Sequence, residues 1–241
     1  MASIKAMLED VVGSLLFNSL TVEHSRPVTP RFQRLVCSGD WLRSGGCSPG
    51  DKLQVMLPGV GSRTYTPFGF DAAAGRLELL VYLHAKEPGA EWGRHVRAGD
   101  RVRVFGPRGS LPLGKVAPPV VLFGDETSFG VASALVQHYA GTPGEVALIF
   151  EVNAREEAAA ALDDLGLARR ELIPRRESGA HAAEVEEHVR AALTRFSAST
   201  LLLTGNAQSI QTLRAALKRR PIAGLTQKVK PYWSIGKRGL D

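Results

Sequence analysis

Four consecutive residues, Arg63, Thr64, Tyr65 and Thr66, bring a cation, an aromatic ring and small hydroxyl groups together in one short segment. Side chains alternate along an extended strand, so Arg63 and Tyr65 are expected on one side and Thr66 on the other. A guanidinium makes paired, charge-assisted bonds to phosphate oxygens, and an aromatic ring can lie against another flat ring. The segment therefore predicts a site for a flat cofactor that carries phosphate.

A second motif, the sequence HAKEPGAEWG, begins at His84. Pro88 and Gly89 break the chain just before a short helix that is predicted to begin near Ala90. The backbone N–H groups at the start of a helix have no acceptor within the helix, so they can face a phosphate group. His84 and Trp92 also have purely structural interpretations, as a histidine at a strand end and an aromatic core residue.

Two polar segments follow predicted buried strands and open predicted helices. The first is GDETSFG, beginning at Gly124, and the second is TGNAQSI, beginning at Thr204. Open parallel sheets bind their ligands at such strand ends. Neither segment has the glycine spacing of a dinucleotide fingerprint, and Thr127 and Ser128 could simply cap the helix. From the residues alone, the ligand of these segments stays open.

The elements that would position these motifs divide the chain into two parts. Between residues 32 and 100, apolar and polar residues alternate in short runs separated by turn sequences, which is typical of an antiparallel sheet. After a loop rich in glycine and proline near Lys115, buried strands alternate with helices, which indicates a parallel sheet with crossovers. The predicted helices cover about residues 128–139, 156–165, 182–193 and 209–219. We therefore expect an N-terminal antiparallel β-barrel followed by a C-terminal three-layer α/β domain.

The predicted boundaries give an N-terminal extension at residues 1–25, a barrel domain at 26–115 and an α/β domain with a C-terminal tail at 116–241. The extension is predicted to contain an amphipathic helix over residues 4–20, because its apolar residues recur at three- and four-residue spacings. We expect this helix to pack on the chain's own surface, because it lacks the Lys/Arg-rich polar face of a membrane-binding helix.

The composition bounds the classes of function. The net charge is +6, but the positive residues are scattered rather than arranged in a stripe, so no nucleic-acid partner is expected. The spacing of Cys37 and Cys47 matches no metal site, and no metal-ligand set is predicted. No run is long and apolar enough to span a membrane, and Glu9 and Asp10 argue against a signal peptide. The expected protein is a cytoplasmic monomer.

The motifs together resemble the siderophore-interacting protein family, whose members are FAD-dependent ferric-siderophore reductases. RTYT is similar to the flavin signature of ferredoxin-reductase-like flavoenzymes, and five further segments occur in the family's order. These are LLVYLHAKEPGAEWG from Leu79, AGDRVRVFGPRGSL from Ala98, LFGDETSFGVASAL from Leu122, LLLTGNAQSIQTLRAAL from Leu201 and PYWSIGKRGLD from Pro231. The resemblance covers nearly the whole chain from about residue 29.

This resemblance implies FAD as the cofactor and NADPH or NADH as the electron donor. Tyr65 would stack on the isoalloxazine, Thr66 would lie near its N5 atom, and Trp233 of the tail would shield the ring. Lys237 and Arg238 would face the anionic ferric siderophore, and the iron would stay within its chelator. The implied cofactor-binding residues are Arg63, Thr64, Tyr65, Thr66, His84, Gly89, Ala90, Glu91, Trp92, Gly124, Asp125, Glu126, Thr127, Ser128, Gly205 and Asn206.

One departure from the family pattern concerns the phosphate site. The family often has a second arginine shortly after the YT, where this chain has Pro67, Phe68 and Gly69. Either another cation such as Arg94 or Arg97 serves the phosphates instead, with Arg108 as a weaker candidate, or FAD is held less tightly.

The sequence leaves the donor and the acceptor open. It does not decide between NADPH and NADH, although Arg155, Arg175 and Arg176 are candidates for contact with a 2′-phosphate. The function that the resemblance implies is electron transfer from NAD(P)H through FAD to a ferric siderophore, with release of Fe(II). The alternatives are a flavin reductase of the same fold with another acceptor or with ferredoxin as donor, and a siderophore-binding protein without enzymatic activity.

Overall fold

The computed structural model of the chain describes residues 17–57, 59, 61–85, 87–141, 146–196 and 200–236. These residues form two β-sheets, one of seven strands and one of five. Of the helices in the described ranges, none is long and apolar enough to cross a bilayer.

The first sheet is antiparallel. Its strands are β1 Asn18–Thr29, β2 Phe32–Ser38, β3 Lys52–Leu57, β4 Gly61–Tyr65, β5 Phe70–Asp71, β6 Arg76–Tyr82 and β7 Arg101–Arg108, and two helices accompany them, α1 Trp41–Ser44 and α2 Pro88–His95. The described ladders run in the open order β4-β3-β7-β1-β2-β6-β5, with β4 and β5 at the edges. The predicted alternation is confirmed, because the apolar positions of β3 and β6 face one shared core.

The predicted N-terminal helix, residues 4–20, is wrong at its C-terminal end. Strand β1 begins at Asn18 and pairs with both β7 and β2. Leu20 and Val22 point into the core with 1% and 0% exposure, which is the two-residue period of a strand. Apolar residues four apart satisfy either period, so spacing alone could not separate the helix from the strand here. Residues 1–16 lie outside the described residues, and the rest of that helix stays a prediction.

The second sheet is parallel. Its strands are β8 Val120–Gly124, β9 Val146–Val152, β10 Glu171–Pro174, β11 Thr200–Asn206 and β12 Thr226–Trp233, in the order β10-β9-β8-β11-β12. Its helices are α3 Phe129–His138, α4 Arg155–Asp164, α5 His181–Arg195 and α6 Ala207–Arg219, and 3₁₀ turns cover Leu113–Lys115 and Glu126–Ser128. Helices α3 and α4 pack on one face and α5 and α6 on the other, which confirms the three-layer prediction.

The two sheets are joined through a shared apolar core. The Phe32 ring of β2 stacks on Phe129 of α3 with centroids 5.4 Å apart, and Phe129 packs edge-on against Phe150 of β9 at 4.9 Å. At the rim of this core, Arg34 of β2 pairs with Asp164 of α4 at 2.9 Å. These contacts seat the antiparallel sheet against the α3 and α4 face of the parallel sheet.

Candidate functional site

Arg63 and Tyr65 lie over the first turn of helix α2. Strand β4 pairs with β3 in the register Val55↔Arg63 and Leu53↔Tyr65, which places Arg63 and Tyr65 on one side of the strand. A Cβ atom added at Gly89 would lie 3.1 Å from Arg63 Cγ and 3.2 Å from the Tyr65 hydroxyl oxygen. The fold therefore brings together a strand and a helix terminus that the sequence predicted separately.

The first turn of α2 offers backbone donors to an anion. Pro88 is the first helical residue, and the Glu91 N–H donates to the Glu87 carbonyl at 2.9 Å. The N–H groups of Gly89 and Ala90 come before that bond, so they have no acceptor within the helix. Both residues are buried, and Gly89 lies against the Arg63 and Tyr65 side chains of β4.

Arg63 and Tyr65 complete a cradle of the kind that FAD requires. The Arg63 Nη1 atom donates to the Ser62 carbonyl at 2.8 Å, and among the residues that the structure describes no carboxylate pairs with this guanidinium. The half-buried Tyr65 ring lies 5.8 Å from the Trp92 ring, and burial raises the pKa of Tyr65. Thr64, between them, is exposed. A cation and N–H donors suit the pyrophosphate, and an aromatic ring suits the isoalloxazine, so the residues present fit FAD.

The other polar residues around α2 have structural contacts. His84 is exposed and stacks on Tyr82 with ring centroids 5.1 Å apart. Arg94 donates to two carbonyl groups of the loop before α2, at 3.1 and 2.9 Å. Arg97 donates to two carbonyl groups at the end of α2, at 2.7 and 3.0 Å. Both of these candidates for the missing second arginine are therefore engaged with the main chain.

Thr66 lies at the seam between the two sheets. Its side chain lies close to the hydroxyl of Tyr232 in β12, and a Cβ atom added at Gly130 of α3 would lie 2.8 Å from the Thr66 carbonyl oxygen. Burial raises the pKa of Tyr232 to about 12, so this hydroxyl is neutral at physiological pH. The residue that follows Tyr65 therefore touches the α/β domain directly.

The turn after β8 is closed by the Asp125 carboxylate. Its Oδ1 atom accepts from the Thr127 backbone N–H at 2.9 Å and also from the Thr127 hydroxyl, and its Oδ2 atom accepts the Trp233 indole N–H at 2.7 Å. The Ser128 hydroxyl accepts from the Asp125 N–H at 3.3 Å, which completes a capping box. Asp125 thus caps this turn, whereas Ser128 stands at the N-cap position of α3 as the structural alternative expected but makes no side-chain cap hydrogen bond to that helix.

Arg175 is shared by three buried carboxylates near the carboxyl ends of β8 and β9. Its guanidinium nitrogens lie 3.2 Å from Asp125, 3.2 Å from Glu126 and 3.0 Å from Glu151. His181 lies 3.2 Å from the second oxygen of Glu151. Three carboxylates already surround the Arg175 guanidinium, which disfavours the hypothesis that it meets a 2′-phosphate.

Glu126 connects this cluster to the antiparallel sheet. Its Oε1 atom accepts the Tyr82 hydroxyl at 3.2 Å and the Asn153 backbone N–H at 2.6 Å. The Asn153 amide also donates to the Tyr82 hydroxyl at 3.2 Å. Burial raises the pKa of Glu126, and Arg175 opposes that shift. One carboxylate thus joins β6 to the end of β9.

The contacts of Asp125 favour its charged form, whereas its burial disfavours it. Burial raises the pKa of Asp125, and Arg175, Thr127 and Trp233 oppose the rise. A backbone N–H and an indole N–H can only donate, so both carboxyl oxygens act as acceptors. Burial also acts to lower the pKa of Arg175, but the three neighbouring carboxylates outweigh it and raise that pKa. A buried ion pair therefore lies at the carboxyl edge of the sheet.

The second predicted turn, after β11, lies beside the first. The Asn206 side-chain oxygen caps α6 by accepting from the Ser209 N–H at 2.9 Å. Gly205 has φ +91°, and a Cβ atom there would lie 2.6 Å from Asp125 Cγ. A Cβ atom at Gly124 would collide with the 3₁₀ turn that follows it. The two sequence segments therefore meet through glycines that allow close contact.

The C-terminal tail contributes two aromatic residues to the site. Trp233 donates to Asp125, and its ring lies 5.6 Å from the Arg175 guanidinium. The preceding residue, Tyr232, is the one that reaches Thr66. Lys237 and Arg238 lie outside the described residues, so their contact with a siderophore stays a prediction.

No motif in the sequence identifies Tyr82, Glu151 or His181 as a site residue. Glu151 left one signal, since it is a charged residue in the otherwise apolar run of β9. Tyr82 and His181 have no such signal in the sequence, because their partners Glu126 and Glu151 lie 44 and 30 residues away in the chain. Packing between distant elements assembles this part of the site.

Comparisons with known proteins agree with this geometry. A model of the siderophore-interacting FAD-binding domain matches residues 58–111, and a model of the siderophore-interacting protein matches residues 117–236. A siderophore utilization protein from T. fusca has a TM-score of 0.70 and 26% identity, over 93% of this chain and 95% of that one. The siderophore-interacting protein SipS from Aeromonas hydrophila has a TM-score of 0.71 and 23% identity, over 92% and 93%. The ferredoxin-NADP⁺ reductase from Plasmodium falciparum has a TM-score of 0.64 and 10% identity, over 88% and 95%.

The fold is like that of the ferredoxin-NADP⁺ reductase, and the cradle at α2 lies within the matched FAD-binding domain, so the chain is an FAD-binding protein. Within that class the chain belongs to the siderophore-interacting protein family, because the two family models together match most of its length. It contains the FAD-binding domain of that family. The resemblance drawn from the sequence motifs is therefore confirmed.

Proposed function

We propose that this protein transfers electrons from NADPH or NADH through FAD to a ferric siderophore, and that it releases Fe(II) in the cytoplasm as a monomer. One observation carries the proposal. The Arg63 and Tyr65 cradle leads directly into Thr66, which meets Tyr232 at the end of β12. A flavin held in this cradle would face the carboxyl edge of the parallel sheet, where such sheets bind nucleotides.

The chain's own residues bind and orient the reactants. When bound, FAD accepts a hydride from NAD(P)H and passes single electrons to an acceptor, and this redox chemistry belongs to the cofactor. Arg63 and the first N–H groups of α2 would hold the pyrophosphate, and Tyr65 would support the ring. Thr66 and Tyr232 would border the ring on the side of the α/β domain. No side chain is required as a general acid or base.

The siderophore is attracted by charge rather than by ligation of its iron. Lys237 and Arg238 supply cations near the end of the tail, and cations around a cleft raise the local concentration of an anionic chelate. Reduction to Fe(II) weakens a complex built from hard oxygen ligands, so the metal leaves the chelator.

The donor half of the proposal is tested by anaerobic mixing of the FAD-loaded protein with NADPH or with NADH. We expect either nucleotide to bleach the visible flavin absorbance. Reduction by reduced ferredoxin but by neither nucleotide would contradict the assigned donor. A protein that binds a ferric siderophore but takes up no FAD would instead support the alternative of a siderophore-binding protein without enzymatic activity.

A further inference from the structure

The parallel sheet reverses its direction of winding between β8 and β11. Helices α3 and α4 pack on one face, whereas α5 and α6 pack on the other, and β8 and β11 are neighbours in the sheet. An open parallel sheet binds a dinucleotide in the crevice at such a point, with the pyrophosphate on the N–H groups of a strand–helix turn. The turns that border this crevice contain Asp125 and Gly205.

The carboxylate of Asp125 already occupies the crevice. The Thr127 N–H of the first turn donates to it at 2.9 Å. The Trp233 indole N–H at 2.7 Å and the Arg175 guanidinium at 3.2 Å reach its other oxygen. Donors from three separate segments therefore converge on one buried carboxylate. Charge-assisted bonds of this kind are also the ones by which proteins bind phosphate.

Gly205 shows how closely the crevice is fitted to Asp125. Its φ of +91° is a conformation that glycine adopts without strain. A Cβ atom at this position would lie 2.6 Å from both Cγ and Oδ2 of Asp125. In dinucleotide-binding sheets, a glycine at such a turn lets the backbone approach the pyrophosphate. In this protein, the group that lies against the glycine, Gly205, is the Asp125 carboxylate.

The charges around Asp125 also oppose an incoming anion. Glu126 and Glu151 are buried beside it, with 4% and 2% exposure. Within the described part of the chain, the cations in contact with these three carboxylates are Arg175 and, if protonated, His181. Negative charge is in excess for either state of the histidine. This excess negative charge would repel a pyrophosphate that binds in the crevice.

We propose that Asp125 limits how tightly the protein holds a pyridine nucleotide, because its carboxylate places a negative charge in the crevice where the coenzyme pyrophosphate would bind. The inference rests on the proposed function, since it takes NADPH or NADH as the donor. It makes Asp125 a residue that sets coenzyme affinity. Removal of its charge should tighten binding, whereas removal of a direct coenzyme ligand would weaken it.

The test is isothermal titration of NADP⁺ into the FAD-loaded wild type and three variants. We expect Asp125→Asn to lower the dissociation constant about tenfold, because one buried charge is removed next to the pyrophosphate. Glu151→Gln should lower it by a smaller factor and leaves the contacts of Asp125 in place. The control is Asp163→Asn, the same chemical change at a side chain with 60% exposure near the C-terminus of α4, and it should have no effect.

Folding of each variant is checked by its thermal transition and its flavin content. If Asp125→Asn does not fold, Glu151→Gln decides the question. Folded variants that bind NADP⁺ no more tightly than wild type would overturn the inference. If NADP⁺ binding tightens but neither NADPH nor NADH reduces the flavin in any of the proteins, the assigned donor fails and the inference about Asp125 stands. If wild type is reduced normally and neither variant binds more tightly, the inference fails alone.

Discussion

Arg63 is the side chain on which cofactor binding depends most. Its stem lies against Gly89, so its guanidinium is held close to the first turn of α2. A planar guanidinium can make two parallel bonds to a phosphate, whereas an ammonium acts as a point charge. Since Arg94 and Arg97 are engaged with the main chain, Arg63 has no substitute among them.

We expect Arg63→Ala to raise the dissociation constant for FAD by about 10- to 100-fold, because a bond to a charged group is lost. Arg63→Lys should give an intermediate loss. The measurement is quenching of flavin fluorescence as FAD is added to the apoprotein. Arg101→Ala, at an exposed position of β7, serves as the control and should bind FAD as wild type does. Unchanged FAD affinity in Arg63→Ala would contradict the assignment of the cradle.

For single residues, the sequence predicts those contacts that depend on neighbours along the chain. Strand alternation predicts that Arg63 and Tyr65 share one side of β4, and the pairing register of β4 with β3 agrees. The role of Arg175 could not be predicted, because two of its three partners lie 50 and 49 residues away. To a sequence reader it resembled the adjacent Arg176, which is largely exposed and pairs with Glu184.

Among the elements, the first turn of α2 carries the cofactor site. The turn approaches β4 so closely that Gly89 has no space for a side chain between Arg63 and Tyr65. A larger residue there would displace those side chains, although a helix favours alanine over glycine by about 1 kcal/mol.

Gly89→Ala is therefore expected to weaken FAD binding several-fold while the fold is kept. The added Cβ atom would lie 3.1 Å from Arg63 Cγ and force that side chain to move. The matched control is Gly109→Ala, where an added Cβ atom meets nothing within 4 Å. Titration of FAD into each apoprotein, with a circular dichroism melt for stability, separates the two effects. Equal FAD affinity in both variants would show that α2 does not contact the cofactor.

The elements that a sequence reveals are those with a clear period or a long apolar run. Strands β3 and β6 alternate along their length, and β8 and β11 are buried almost throughout, so all four were predicted. Strand β10 was missed because it has four residues and only Ile173 is buried. The sequence predicts helix at the start of β1, because the spacing of its apolar residues fits both the helical period and the two-residue period of a strand.

Across the whole molecule, the Arg175 cluster links the two sheets. Glu126 bonds to Tyr82 of the antiparallel sheet and to Arg175 of the parallel one. Three carboxylates that are at most 4% exposed depend on this one guanidinium. Removal of one partner from a buried ion pair leaves an uncompensated charge, which is strongly destabilising.

We expect Arg175→Met to lower the free energy of unfolding by about 3–5 kcal/mol near neutral pH. Burial already raises the pKa of Asp125 and of Glu126, and loss of Arg175 would raise both further. A carboxyl group with a raised pKa in the folded state binds its proton more tightly there, so stability is regained as pH falls through that pKa. The deficit of the variant should therefore narrow as the pH is lowered from neutral, as measured by urea unfolding.

The matched control for that experiment is Arg176→Met. This neighbour is 55% exposed and pairs with Glu184 at the surface, so its loss should change stability by no more than about 1 kcal/mol. Equal effects of the two substitutions, or a deficit for Arg175→Met that does not change with pH, would show that the buried cluster does not need this counterion.

The proposed function requires that electrons taken up by the flavin pass to the ferric iron of a siderophore. The most direct measurement is an anaerobic single turnover. FAD-loaded protein is reduced with one equivalent of NADPH and then mixed with excess ferric hydroxamate and an Fe(II)-specific chelator. We expect the oxidised flavin spectrum to return with two Fe(II) per flavin, because a two-electron donor meets a one-electron acceptor. A flavin that stays reduced, with no more Fe(II) than a flavin-free control yields, would contradict the account.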